Sequence, residues 1–132
     1  MLGCGSSRLH DVRAVVTLDG EPLAEAEITL LPTRAIPTTA FGITDSAGET
    51  TFQTAELEGV FPGSYVAVVS KSIEERKLTN NEIRALAEAG IRYRPTIVEL
   101  LPERYTKRET SDLRVRIGYW HTTELSFELL SE

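Results

Sequence analysis

Few side chains in this 132-residue sequence have the chemistry for catalysis or metal binding. His10 and His121 are its two histidines, and a general base needs a partner held within hydrogen-bond reach. His10 lies near the N-terminus and His121 in a predicted turn, and nothing in the sequence brings them together. Asp45, Ser46 and Glu49 offer oxygens around one short stretch, but calcium takes six to eight oxygen ligands. Asp45 at the first position and Gly48 at the fourth fit a type I turn instead. Cys4 is the single cysteine, which rules out an intrachain disulfide and a cysteine-based zinc site within one chain. The expectation is therefore no catalytic residue, no metal and no cofactor. Tyr119 and Trp120 are the best candidates for ligand contact. Aromatic rings at a hairpin tip can stack on sugars or anchor a protein interface; the alternative is that Trp120 folds back over one end of the core. Glu74, Glu75, Arg76 and Lys77 mix signs and read as a solvated loop.

The length fits one domain, and 41% hydrophobic with 26% charged residues is ordinary for a globular chain. A net charge of −6, from 20 acidic against 14 basic side chains, opposes binding to a phosphate backbone or to anionic lipid. Nucleic acid is thus not an expected partner. No apolar run approaches the roughly 18 residues needed to span a bilayer. The start, Met1-Leu2-Gly3-Cys4-Gly5-Ser6-Ser7, resembles the last residues of a bacterial lipoprotein signal: a short apolar stretch, Gly, the Cys that receives lipid, then a small flexible tether. On this reading residues 1–11 are a lipobox-like remnant and tether, and the true translation start lies upstream. Lipid on Cys4 then holds the protein at a membrane of the cell envelope, periplasmic or on the outer surface. An unmodified Cys4 would make it cytoplasmic.

The elements that would position these residues are mostly strands. Residues 12–18 are β-branched and apolar, and Asp19-Gly20 supplies a tight turn. In residues 26–31, Ile28 and Leu30 face one side and Glu27 and Thr29 the other. Residues 32–39 read as a loop and 41–44 as a short strand. After the Asp45–Gly48 turn, residues 49–53 read as its partner, and 54–63 form a connection. Residues 64–70 carry apolar side chains on both faces, the mark of a central strand. The period then changes: Thr79-Asn80-Asn81-Glu82 is a capping box, Ile83, Leu86 and Ala87 recur at helical spacing, and Gly90 ends the run. A helix over about 79–90 is predicted, with its apolar stripe laid on the sandwich. Residues 96–102 are ambiguous, 111–117 alternate as a strand, 118–122 turn the chain, and 123–130 form the last strand. Tyr105 is expected to pack and hydrogen-bond at a strand corner. Residues 12–132 are thus read as one domain, an all-β antiparallel sandwich.

The ordered motifs narrow this further. Residues 16–32, Thr44-Asp45-Ser46-Ala47-Gly48-Glu49 with Phe52, and Phe61-Pro62-Gly63-Ser64-Tyr65 resemble the hairpins and strand starts of carboxypeptidase regulatory-like domains. Leu101-Pro102-Glu103-Arg104-Tyr105 followed by Thr110-Ser111-Asp112-Leu113 resembles the tail of small predicted lipoproteins of planctomycete-like bacteria. The resemblance implies a seven-stranded Greek-key sandwich of transthyretin-like type, an envelope location and no established activity. One enzyme branch of transthyretin-like folds, the hydroxyisourate hydrolases, carries a His/Arg-lined site and a C-terminal Tyr-Arg-Gly-Ser run. This chain ends Phe-Glu-Leu-Leu-Ser-Glu and lacks that run. Similar domains have a shorter link where the helix is predicted here, which marks the 71–100 insert as the place where an individual function lies. The expected function is a non-enzymatic envelope lipoprotein whose sandwich binds or scaffolds a protein or carbohydrate ligand. The alternatives are a carbohydrate- or peptide-binding accessory domain using Tyr119, Trp120 and the helix insert and, least favoured, a transthyretin-like hydrolase.

Overall fold

Apolar and polar residues alternate along most of the chain, and strands form where alternation lets one side of the backbone be buried. The computed structural model describes residues 9–34, 39–74, 78–118 and 123–132. In chain order the elements are β1 (Val12–Leu18), β2 (Glu21–Pro22), β3 (Glu27–Pro32), β4 (Ala40–Ile43), β5 (Glu49–Thr51), β6 (Gln53–Thr54) and β7 (Leu57–Glu58). Then follow β8 (Gly63–Ser70), β9 (Ser72–Glu74), α1 (Asn80–Glu88), β10 (Ile97–Glu99), α2 (Glu103–Thr106), β11 (Arg114–Ile117) and β12 (Thr123–Leu129). One sheet has β1 at its centre, with β12 on one side and β2 and β5 on the other. The second sheet has the order β11-β8-β3-β4-β6-β7, and β9 and β10 pair as a separate ribbon.

The two sheets bury a shared core. Val12, Ala14 and Val16 of β1, with Phe127 and Leu129 of β12, cluster with Ile28 and Leu30 of β3, Tyr65, Ala67 and Val69 of β8, and Val115 and Ile117 of β11. Each large side chain buried in this way contributes about 1.5–3 kcal/mol of transfer free energy. The Tyr65 hydroxyl donates to the Phe61 carbonyl at 2.7 Å, a corner contact common in β-sandwiches. β8 lies between β11 and β3, the central position its apolar faces predict.

Two expectations about strand pairing need correction. The sandwich is not antiparallel throughout: β12 runs parallel to β1, from Val12 opposite Thr123 to Leu18 opposite Leu129. β11 and β12 lie in different sheets, so these two strands do not pair as a hairpin. Residues 49–53 are also not a single partner of β4. β5 pairs with β1 and β6 with β4, and the chain changes sheet at the buried Phe52. Gly42 makes this crossing fit, because a Cβ there would lie 2.5 Å from the Thr51 carbonyl oxygen and 2.7 Å from the Thr50 hydroxyl.

The register defines two ends. Val12, Thr123, Ile117, Gly63 and Pro32 lie at one end, where His10 forms a backbone bridge with Val60. This is the N-terminal pole. Leu18, Leu129, Ser70, Glu27 and Ile43 lie at the other. The chain leaves β8 there and returns at Leu100, whose N–H donates to the Lys71 carbonyl at 2.8 Å. This is the insert pole.

α1 forms as the capping box predicts: the Glu82 N–H donates to the Thr79 hydroxyl at 3.2 Å and the Thr79 N–H to the Glu82 carboxylate at 3.1 Å. At its end the Ile91 N–H reaches Leu86 at 2.8 Å and the Gly90 N–H reaches Ala87 at 3.0 Å, with Gly90 at φ +77°. This is the Schellman pattern. The expectation that α1 lays its stripe on the sandwich fails, since none of its residues is buried. Its large apolar side chains are only Ile83 and Leu86, and both stay half-exposed. Two such residues bury too little area to draw the helix onto a sheet, and its caps hold it instead.

Candidate functional site

The structure distributes the candidate residues unevenly. Cys4, Tyr119, Trp120 and His121 lie outside the described residues. His10 is fixed by paired backbone hydrogen bonds with Val60, both 2.9 Å. Asp45 serves a turn: its Oδ1 accepts from Ala47 at 2.9 Å and Glu49 at 3.0 Å, while the Gly48 N–H donates to its carbonyl at 2.9 Å. Among the described residues no three His, Cys, Asp or Glu side chains converge as metal ligands.

Tyr105 packs and hydrogen-bonds as expected. It is 5% exposed, and its hydroxyl accepts from the Leu130 N–H and from Arg104, each at 3.0 Å. Arg104 also donates to the carbonyls of Leu130 at 3.2 Å and Glu132 at 2.7 Å. Asp19 accepts from the Ser131 N–H at 3.0 Å, and its hydrogen bonds with Ser131 hold its carboxyl below the usual range. The Pro-Glu-Arg-Tyr segment therefore clasps the residues that follow β12.

Two surfaces remain. At the insert pole, Ile73, Ile91, Ile97 and Leu100 are exposed large apolar side chains. Their support is polar. The Glu99 carboxylate accepts from the Ser70 hydroxyl, from the Lys71 N–H at 2.9 Å, from the Leu101 N–H at 3.1 Å and from the Ser72 hydroxyl at 3.4 Å. Partial desolvation pushes this carboxyl up, but the bonds from Ser70, Lys71, Leu101 and Ser72 outweigh it and hold the group below its ordinary value. Glu99 thus pins the neck of the insert to the end of β8.

At the N-terminal pole, a cavity of about 310 Å³ opens between the end of β3, the start of β8 and the end of β11. Pro32, Pro62, Tyr65 and Ile117 supply its apolar walls, and Arg34 and Arg116 line it too. Gly118, which leads into Tyr119, is at its rim. Sequence reasoning missed this cavity. The one signal was the Arg114-x-Arg116 alternation, which puts both guanidiniums on the outer side of β11, but alternating charge on a strand ordinarily marks a solvated face. Arg34 joins them only through the pairing of β3 with β8. No family model, curated protein or solved structure matches the chain.

Proposed function

We propose that this chain is a non-enzymatic bacterial envelope lipoprotein, held to a membrane by lipid on Cys4, whose sandwich serves as a binding or scaffolding module. Its framework is read as a Greek-key sandwich of transthyretin-like type, with β1, β3, β4, β5, β8, β11 and β12 as the seven strands. The observation that carries the reading is the polarity of the fold. The N-terminal segment joins the sandwich at His10–Val60, whereas the insert leaves it at Ser70 on the opposite pole. A tether at one end and a projecting segment at the other suit a module displayed away from its anchor, with recognition carried by loops on a rigid frame. Intact mass spectrometry of the protein made from its full gene in its native cells tests the anchor. A mature chain beginning at Cys4 with added lipid mass, lost from the membrane fraction in Cys4→Ser, is the expected result. An unmodified Cys4 would overturn the envelope reading and leave a cytoplasmic sandwich.

A second reading, a carbohydrate- or peptide-binding accessory domain using Tyr119 and Trp120, is favoured by the cavity beside Gly118. Saturable quenching of Trp120 fluorescence by an oligosaccharide would support it. A transthyretin-like hydrolase is the third reading, and it requires turnover that disappears in His121→Ala.

A further inference from the structure

Arginines from separate parts of the chain come together at the N-terminal pole of the second sheet. Arg116 lies opposite Ser64, and Arg114 opposite Val66, on the outward face of β11. Arg34 follows the end of β3, where the Thr33 N–H donates to the Ser64 carbonyl at 3.0 Å and holds the segment against β8. Arg108 donates to the Pro32 carbonyl at 3.2 Å. Two guanidiniums, those of Arg34 and Arg116, thus line the 310 Å³ cavity, with Arg108 bonded to the carbonyl of its lining residue Pro32.

The charge there opposes that of the whole molecule, which carries −6. Like charges crowded on one face repel, and a protein with excess carboxylates has ready means to pair them. Yet among the described residues no carboxylate pairs with Arg34, Arg114 or Arg116, and the ion pair that does form is Lys107 with Glu103. On the outer face of β1, Arg13 has Glu124 as its cross-strand neighbour, although among the described residues no ion pair forms there either. Guanidiniums are suited to a planar oxyanion because they present parallel N–H donors. Pro62, half-buried beside them, offers apolar contact to whatever carries that group, and a few polar groups on an apolar wall are the usual composition of a small-molecule pocket.

We propose that this cavity binds a small organic oxyanion, with Arg34 and Arg116 holding its carboxylate or phosphate and the wall at Pro62 meeting its organic body. This deepens the binding-module reading above and rests on it, by naming the chemistry of the ligand; it does not depend on lipid at Cys4, so the mass measurement and the following one fail separately.

The test is an amide NMR titration of the full chain with glucuronate, benzoate and inorganic phosphate, using glucose as the uncharged control. Saturable shifts confined to Gly63, Ser64, Ile117 and Gly118, absent with glucose and weakened by added salt, are expected. Arg116→Gln should weaken the affinity at least about tenfold, the scale of one charge-assisted hydrogen bond. Arg34→Gln/Arg116→Gln should abolish the binding, while Arg13→Gln on the other sheet leaves it unchanged. A preference for glucuronate or benzoate over phosphate assigns a carboxylate ligand, and the reverse assigns a phosphate. Both substituted residues are exposed, and an otherwise unchanged spectrum checks that the variants fold. Absence of saturable shifts with all three anions, or binding that survives in the double variant, would overturn the proposal.

Discussion

Between residues 71 and 100 no described residue is buried, whereas β1, β3 and β8 each place several side chains at 5% exposure or less. Both regions have regular structure, but it arises from different physics. In the sandwich, alternation decides the fold: moving a strand by one residue would turn its whole apolar set to water. In the insert, local hydrogen bonds do the work. Thr79 and Glu82 close one end of α1, Gly90 the other, and Glu99 pins the neck. Such bonds hold a shape without the area needed to hold a globule, since a short helix alone is marginal in water. Secondary structure that is capped but unburied opens locally, and its stability is uncoupled from that of the core.

The comparison predicts a graded series. Ile28→Ala leaves a cavity between the sheets and should cost about 3 kcal/mol in urea unfolding; a loss below about 1 kcal/mol would show that the sandwich core is not where the stability lies. Tyr105→Phe removes the acceptor for Leu130 and Arg104 and should cost about 1–2 kcal/mol, since it leaves a backbone N–H unpaired. Thr79→Ala should reduce helical circular dichroism, with about 1 kcal/mol lost from α1, while the global unfolding midpoint stays in place. A midpoint that fell with it would tie the insert to the core after all.

The smallest effect is the acid response of the neck. The Glu99 carboxyl is depressed in the folded chain, so its contribution is fully present above the unfolded value of about 4.3 and is lost as pH falls through the lower folded value. Solvent screening keeps this contribution well under about 1 kcal/mol. Limited proteolysis should therefore cut within 71–100 faster below about pH 4 than at neutral pH, and in Glu99→Gln that pH dependence should disappear.

Most of the sandwich was legible because its strands are written in alternation. Ile28 and Leu30 were assignable to one face from period alone, and both are buried, whereas the apolar residues on both faces of 64–70 gave β8 its central place but not its core side. What alternation does not encode is which sheet a strand joins. Phe52 is buried where the chain changes sheet, and only the strand pairings reveal that β5 has left for β1. The parallel pairing of β12 was hidden for the same reason, since period is blind to direction. The caps of α1 were legible from Thr79, Glu82 and Gly90, but its position was not. A stripe of Ile83 and Leu86 reads the same whether or not a surface receives it. The arginine cavity was least visible, because Arg34 and Arg116 are 82 positions apart in the sequence (116 minus 34) and meet only through the strand order β11-β8-β3.

The most direct test of this division removes the insert. Lys71 and Leu100 are already joined by a backbone hydrogen bond, so residues 72–99 can be replaced by a short Gly-Ser link without stretching the sandwich. If the core stands alone, the shortened chain should unfold cooperatively in urea with a stability within about 1 kcal/mol of the full chain, because a shorter loop changes closure entropy only slightly. A shortened chain that fails to fold, or that loses several kcal/mol, would contradict the account and make the insert part of the core.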